Sequence, residues 1–212
     1  MPTSRLSLAR SLVATLPSGK PGLFNPWADH CPHDAEGNGP AAKLKRLALH
    51  LDCEPEFILA GEAPGYQGCR YSGIAFTSER LLGEGAIPRI APLPNRLSTR
   101  RLPFSEPSAT IVWKTLYRLG IAERTILWNA LQLHPHRDDD LWSNRTPRPE
   151  EIALGEPAIR MLIEAFPQAK IVAVGKKAEG LLSEMGVKVA GAVRHPANGG
   201  ATEFSRGLQA LT

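Results

Sequence analysis

Two short segments carry the side chains best suited to chemistry. Gly61-Glu62-Ala63-Pro64-Gly65 follows the apolar run 57–60, and Arg194-His195-Pro196-Ala197-Asn198-Gly199-Gly200 follows the apolar run 187–193. Each reads as a buried strand entering a tight turn, because Gly and Pro interrupt the apolar pattern and release polar side chains at a strand end. A carboxylate, Glu62, and an imidazole, His195, presented by two such turns can line one pocket. Both are side-chain types suited to acid–base chemistry or to recognition of a polar ligand. Asn129 ends the apolar run TILWN and adds an amide with both a donor and an acceptor.

Other catalytic patterns fail on spacing. A P-loop needs Gly, four residues, then Gly-Lys-Ser/Thr; around Gly175-Lys176 the first position is Lys170 and the last is Lys177. No GxGxxG opens a helix, and no GxSxG is present. Asp29-His30-Cys31-Pro32-His33-Asp34 has metal-ligand types but lacks a second pair. The three cysteines, Cys31, Cys53 and Cys69, make no even-numbered disulfide framework, which suits a reducing cytoplasm.

The elements that position these residues follow from periodicity. Helices are expected over 4–16, with Leu6, Ala9, Leu12 (or Val13) and Leu16 on one face, and over 41–52, with Leu44, Leu47 and Leu51. Residues 20–40 read as coil. Further helices are expected over 109–119 capped by Ser108, over 149–165 opened by Pro149-Glu150-Glu151, and over 176–185. Strands are expected at 57–61, from 125, at 170–175 and at 187–193. Apolar strands alternating with helices indicate an α/β fold, a three-layer α/β/α sandwich with a central, mostly parallel four-stranded sheet. The chain, 1–212, is expected to form a single domain, with 1–56 as a helical and coil extension packed on it. Such folds work at the carboxyl ends of their strands. Here those ends are Gly61-Glu62, Trp128-Asn129, Gly175-Lys176 and Arg194-His195.

Charge is compatible with a polyanionic partner without demanding one, and its distribution says more than its total. The net charge is +4, and the Pro-rich stretch 86–108 carries Arg89, Arg96, Arg100 and Arg101 with only Glu106 acidic. Long loops of this kind tend to be functional. No apolar run is long enough for a membrane span. The acid-free N-terminus fits an amphipathic helix; a mitochondrial presequence is the competing reading.

The order of GEAPG (61–65), Gly73, Phe76, Asn129, Asn144-Arg145-Thr146-Pro147 with Glu150, VAVGKKA and His195-Pro196 resembles the uracil-DNA glycosylase superfamily, over roughly 57–207. It is most similar to the bacterial and archaeal type that usually carries a four-cysteine iron–sulfur cluster. This chain has Leu133 and Gly155 where the third and fourth cluster cysteines would stand, and only Cys31 near the first pair. Four thiolates are needed, so no cofactor is expected. The acids that often follow GEAPG are replaced by Tyr66, Gln67 and Gly68, and the serine that often follows His-Pro is Ala197.

The resemblance implies a monofunctional glycosylase that flips uracil from single- or double-stranded DNA and releases free uracil, acting as a cytoplasmic monomer. Glu62 and His195 become the catalytic residues, although Ala63 stands where the best-known branch has its water-activating Asp. Ala63, Gly65, Tyr66, Gln67, Phe76 and Asn129 become the uracil-binding set, Phe76 by stacking and Asn129 by reading N3–H and O4. Arg96, Arg100, Arg101, Arg194, Asn198, Gly199 and Arg206 become DNA contacts. Ala197–Arg206 is expected to be a minor-groove loop with Phe204 as a wedge or a core residue. Two alternatives stay open: a uracil- or abasic-DNA binding protein with little turnover, and a glycosylase for deaminated purines.

Overall fold

The computed structural model describes residues 4–212. In chain order the helices are α1 (Arg5–Ala14), α2 (Pro40–His50), α3 (Cys69–Ser72), α4 (Glu79–Gly83), α5 (Pro107–Arg118), α6 (Pro149–Ile152), α7 (Glu156–Ala165), α8 (Lys176–Glu184) and α9 (Ala201–Gln209). The strands are β1 (Leu23–Phe24), β2 (Phe57–Gly61), β3 (Thr125–Asn129), β4 (His134–Pro135), β5 (Lys170–Val174) and β6 (Gly191–Val193).

The main sheet is four-stranded and wholly parallel, in the order β3-β2-β5-β6. β2 is central and every residue of it is buried, as a parallel strand covered on both faces must be. Its side chains alternate between two apolar layers. Ile58 and Ala60 join Ile126, Trp128 and Ile171 under α1, α2 and α7, where Leu12, Leu47 and Leu162 pack. Phe57 and Leu59 join Leu127, Val172 and Val174 under α5 and α9, where Val112, Trp113, Phe204 and Leu208 pack. The result is a three-layer α/β/α sandwich. Register sets Gly61 beside Asn129 and Val174 beside Val193, so the strand ends finish level.

Several elements differ from expectation, each for a local reason. α5 starts at Pro107, with Glu106 rather than Ser108 at the N-cap, because proline suits the first helical turn. The helix expected over 149–165 breaks at Ala153–Gly155. There Gly155 presses on the backbone of residues 130–131; a Cβ would overlap the Ala130 carbonyl and sit 2.9 Å from Leu131 Cα. β6 is shorter than 187–193, joining the ladder only from Gly191. On α1, Leu6 is 40% exposed and Leu8 takes the buried place. Residues 20–40 include β1, which pairs antiparallel with β4 (Leu23 with Pro135, Phe24 with His134). α3, α4 and α9 were not expected. Residues 4–56 share a core with the sheet, since Leu8, Ala9, Leu12 and Leu47 pack in the layer that holds Ile58 and Trp128.

Candidate functional site

A cavity of about 910 Å³ opens at the carboxyl ends of the sheet. Every strand of that sheet contributes: Glu62 follows β2, Asn129 ends β3, Val174-Gly175 ends β5 and Val193-Arg194-His195 ends β6. Ala63, Pro64 and Gly65 line the same cavity, as do Phe76, Ala197 and Asn198. Glu62, Ala63, Gly65, Phe76, Asn129 and His195 are therefore brought together from the expected set.

Asn129 is 5% exposed, and among the described residues its side-chain amide has no protein partner, so both its donor and its acceptor are available to a ligand. Gly61 makes this possible. A Cβ at residue 61 would lie 2.6 Å from Phe76 Cζ and 2.8 Å from Asn129 Oδ1. Phe76 is held in the left-handed region at φ 48, a strained conformation for an aromatic residue. Its ring is 8% exposed and lies 6.1 Å from the His195 ring.

His195 is half-buried at the cavity wall. The Ala197 backbone N–H donates to its Nδ1 at 3.2 Å. Nδ1 is thus the acceptor, and the neutral ring carries its proton on Nε2. Burial first, and Arg194 second, hold its pKa below the usual histidine range, so the neutral Nε2–H form prevails. Gly175, at φ 94, lets the start of α8 approach within contact of this ring; a Cβ there would lie 3.0 Å from His195 Cβ. Across the cavity, Glu62 accepts from Lys177 Nζ at 3.3 Å, and Lys177 also reaches Thr146 Oγ1 at 3.0 Å.

The segment 144–151 braces the GEAPG turn. Asn144 Oδ1 accepts the Tyr66 backbone N–H at 3.1 Å and lies 3.1 Å from His134 Nε2. Arg145 forms a two-pronged pair with Glu151, both bonds 2.7 Å, and also donates to the Gly22 carbonyl. The acid that pairs with Arg145 is Glu151 rather than its neighbour Glu150. Tyr66 and Gln67, expected in the base-binding set, follow the cavity-lining residues Ala63–Gly65 but do not line the cavity themselves. The Tyr66 amide is spent on Asn144, and its ring packs edge-on against Phe104.

The expected DNA contacts divide. Arg100, Arg101, Arg194, Asn198, Gly199 and Arg206 are exposed. Arg194 and Asn198 line the cavity, and Asn198 (φ 52) and Gly199 (φ 78) form a left-handed turn at its rim. Arg96 differs from its neighbours. Its guanidinium donates to Glu79 at 2.6 Å and to the carbonyls of Arg100 and Arg101, so its donors face into the loop. Glu79, 4% exposed, organises that loop. Burial alone would raise its pKa, but bonds from Arg96, Ser98 and the Leu97 and Phe104 amides hold it low. The Ala197–Arg206 loop is also corrected. From Ala201 it is helix α9, with Arg206 on its outer face and Phe204 fully buried as a core residue.

Sequence reasoning missed Cys69, Glu106 and the Lys176-Lys177 pair in the cavity wall. Glu106 had one signal, as the lone acid in a basic stretch, and Lys176-Lys177 had another, as the polar end of the VAVG strand; Cys69 had none. The residues do not fit a four-thiolate cluster. Leu133 is fully buried in the core, Gly155 has no room for a side chain, and Cys31, Cys53 and Cys69 are free thiols. Among the described residues, no group of three or more His, Cys, Asp or Glu gathers to hold a metal.

Residues 50–207 match the protein family described as the uracil DNA glycosylase superfamily. In fold, the chain is similar to wild-type SMUG2 of Pedobacter heparinus, with a TM-score of 0.64 over 96% of this chain and 95% of that one, at 16% identity. No curated protein matches the chain in sequence.

Proposed function

The chain belongs to the uracil DNA glycosylase superfamily, which makes it a DNA glycosylase acting on damaged bases, and we propose that the base it excises is uracil. The observation that carries this reading is the pairing of an unpartnered Asn129 amide with a His195 Nε2–H in one cavity. Uracil presents N3–H and O4 to an amide, whereas cytosine presents the opposite pattern. A base must leave the helix stack before it reaches such a cavity.

In this mechanism the flipped uracil stacks on Phe76. Asn129 accepts from N3–H and donates to O4. As the C1′–N1 bond lengthens, negative charge gathers on the base, and His195 Nε2–H donates to O2. The neutral imidazole suffices, because the Ala197 amide fixes its tautomer. Glu62, oriented by Lys177, faces the sugar side, where it orients water and balances positive charge. Water then adds to C1′ and leaves an abasic site. Arg100, Arg101, Arg194 and Arg206, with the Asn198-Gly199 turn, hold phosphates without reading sequence. Among the described residues, no helix is long and apolar enough to cross a membrane, and we place the protein in the cytoplasm as a monomer with no cofactor.

The test is a base panel. Purified protein is incubated with single- and double-stranded oligonucleotides carrying uracil, hypoxanthine or xanthine, in chelator. Uracil release with an alkali-labile site is expected. Preferential release of a deaminated purine would move the substrate. Tight binding to uracil- or abasic-DNA with no base released would make this a binding protein.

A further inference from the structure

Glu106 is the cavity's unexplained group. It stands at the N-cap of α5, where a carboxylate ordinarily accepts from the first helical amides, yet its side chain makes no capping bond. It turns into the cavity instead, and among the described residues it has no ion-pair or hydrogen-bond partner. Gly68 provides the space: a Cβ on residue 68 would overlap Glu106 Oε2. The position that carries no side chain in the turn after GEAPG is thus filled by a carboxyl from another loop. The cavity therefore holds two carboxyl groups in opposite settings. Glu62 lies against a cation, Lys177, whereas Glu106 has none.

We propose that Glu106 acts as a neutral acid toward the extruded base, while Glu62 works as the ionised carboxylate on the sugar side. This rests on the glycosylase reading above. One carboxyl set against a cation and another seated in the same cavity without one suit a division of acid and base work. Desolvation in the cavity wall raises the Glu106 pKa to about 7, so roughly half of the group is neutral at pH 7 and more of it below. As C1′–N1 breaks, its electron pair stays on the base, and Glu106 delivers its proton to the base atom that gathers the charge. Water adds to C1′ and gives its proton to Glu62; exchange with solvent then restores both groups.

The other charged groups on the walls are Glu62 and His195 at strand ends, Arg194 beside His195, and Lys176, Lys177 and Glu179 on α8. Burial keeps the neighbouring Cys69 thiol far above its usual range and therefore protonated. His195, held low, is already neutral where Glu106 titrates.

The experiment is single-turnover uracil excision from pH 5.5 to 9 for wild type, Glu106→Gln and Glu106→Ala, with melting temperatures recorded alongside. The wild-type rate should fall as pH rises through about 7. Glu106→Gln keeps a donor but cannot deliver a proton, so it should be on the order of tenfold slower at pH 6, without that fall. Glu106→Ala should be slower by ~10²-fold at pH 6. Gly68→Ala, which drives the carboxyl from its place, should share the Glu106→Ala defect and serves if Glu106→Ala fails to fold. An alkaline limb retained in Glu106→Gln, or a wild-type rate in Glu106→Ala, overturns the proposal alone. No base released by wild type at any pH overturns the glycosylase reading and this proposal with it.

Discussion

Gly61→Ala tests whether the cavity is as tightly built as its contacts indicate. The added methyl would sit 2.6 Å from Phe76 Cζ and 2.8 Å from Phe76 Cε2 and Asn129 Oδ1. Ordinary carbon contacts lie near ~3.5–4.0 Å, so Phe76 or Asn129 must retreat by about 1 Å. Gly61 is not in the left-handed region, so the substitution adds bulk without backbone strain. Overpacking of this size costs about 1–3 kcal/mol, which lowers the melting temperature by roughly 2–4 °C per kcal/mol in a domain of this length. The catalytic loss should be larger than the stability loss, because a displacement of about 1 Å in a positioned group costs ~10²-fold in rate. The assay is single-turnover release of uracil from an oligonucleotide, with thermal melting of the same preparation. Gly180→Ala is the control: it lies within α8, and nothing would come within 4 Å of its Cβ. That control should gain ~0.5–1 kcal/mol from helix propensity and keep its activity. Wild-type excision in Gly61→Ala would refute the packing argument. A rate loss no larger than the folded fraction lost would refute the link to the site.

Asn129→Asp should slow uracil excision by on the order of 10²-fold, since a carboxylate cannot donate to O4 and repels it; a change under threefold would remove Asn129 from base reading. Arg101→Ala should reduce the slope of log affinity against log salt by about 1, whereas Arg96→Ala should leave that slope and instead lower the melting temperature, because it strands the buried carboxylate of Glu79. The reverse assignment would restore Arg96 as a phosphate contact. Acid should destabilise the fold through His50 and His134, whose pKa values burial, as the main cause, lowers to about 3. Below about pH 6.5 the unfolded chain takes up protons that the folded one refuses, so each histidine removes about 1.4 kcal/mol per pH unit on the way down. A melting temperature flat from pH 7 to 4.5 would contradict their burial.

Strand cores and strand ends were legible because they rest on local patterns. FILAG and KIVAV are apolar runs of strand length, and their polar neighbours mark the ends, so Glu62, Asn129 and His195 could be placed near one another before any fold was known. What stayed hidden depends on contacts across the chain. Nothing near Gly155 shows that the Ala130 carbonyl will press on it and break a helix. Arg96 looks like its neighbours Arg100 and Arg101 until Glu79, from another element, captures it. The 201–209 helix was masked by the Gly-rich turn before it and by an expectation of a loop, although Phe204 and Leu208 are spaced one helical turn apart. Glu106 stood out by its charge, but only the fold shows that it reaches a cavity whose walls run in sequence from Glu62 to Asn198.

The strand order has a consequence for synthesis. β2 is the hydrophobic centre of the sheet, yet its partners are β3, which begins at Thr125, and β5, which begins at Lys170. At roughly 5–20 residues per second, FILAG leaves the ribosome on the order of ten seconds before both edges can be paired. During that interval a bare apolar strand with two open edges is exposed to other nascent chains. The cavity closes later still, when Arg194–Gly200 emerges and β6 docks. A stalled or truncated chain therefore yields an aggregation-prone fragment rather than a partly active enzyme, and the cell is never exposed to a half-built activity that cuts bases from its DNA.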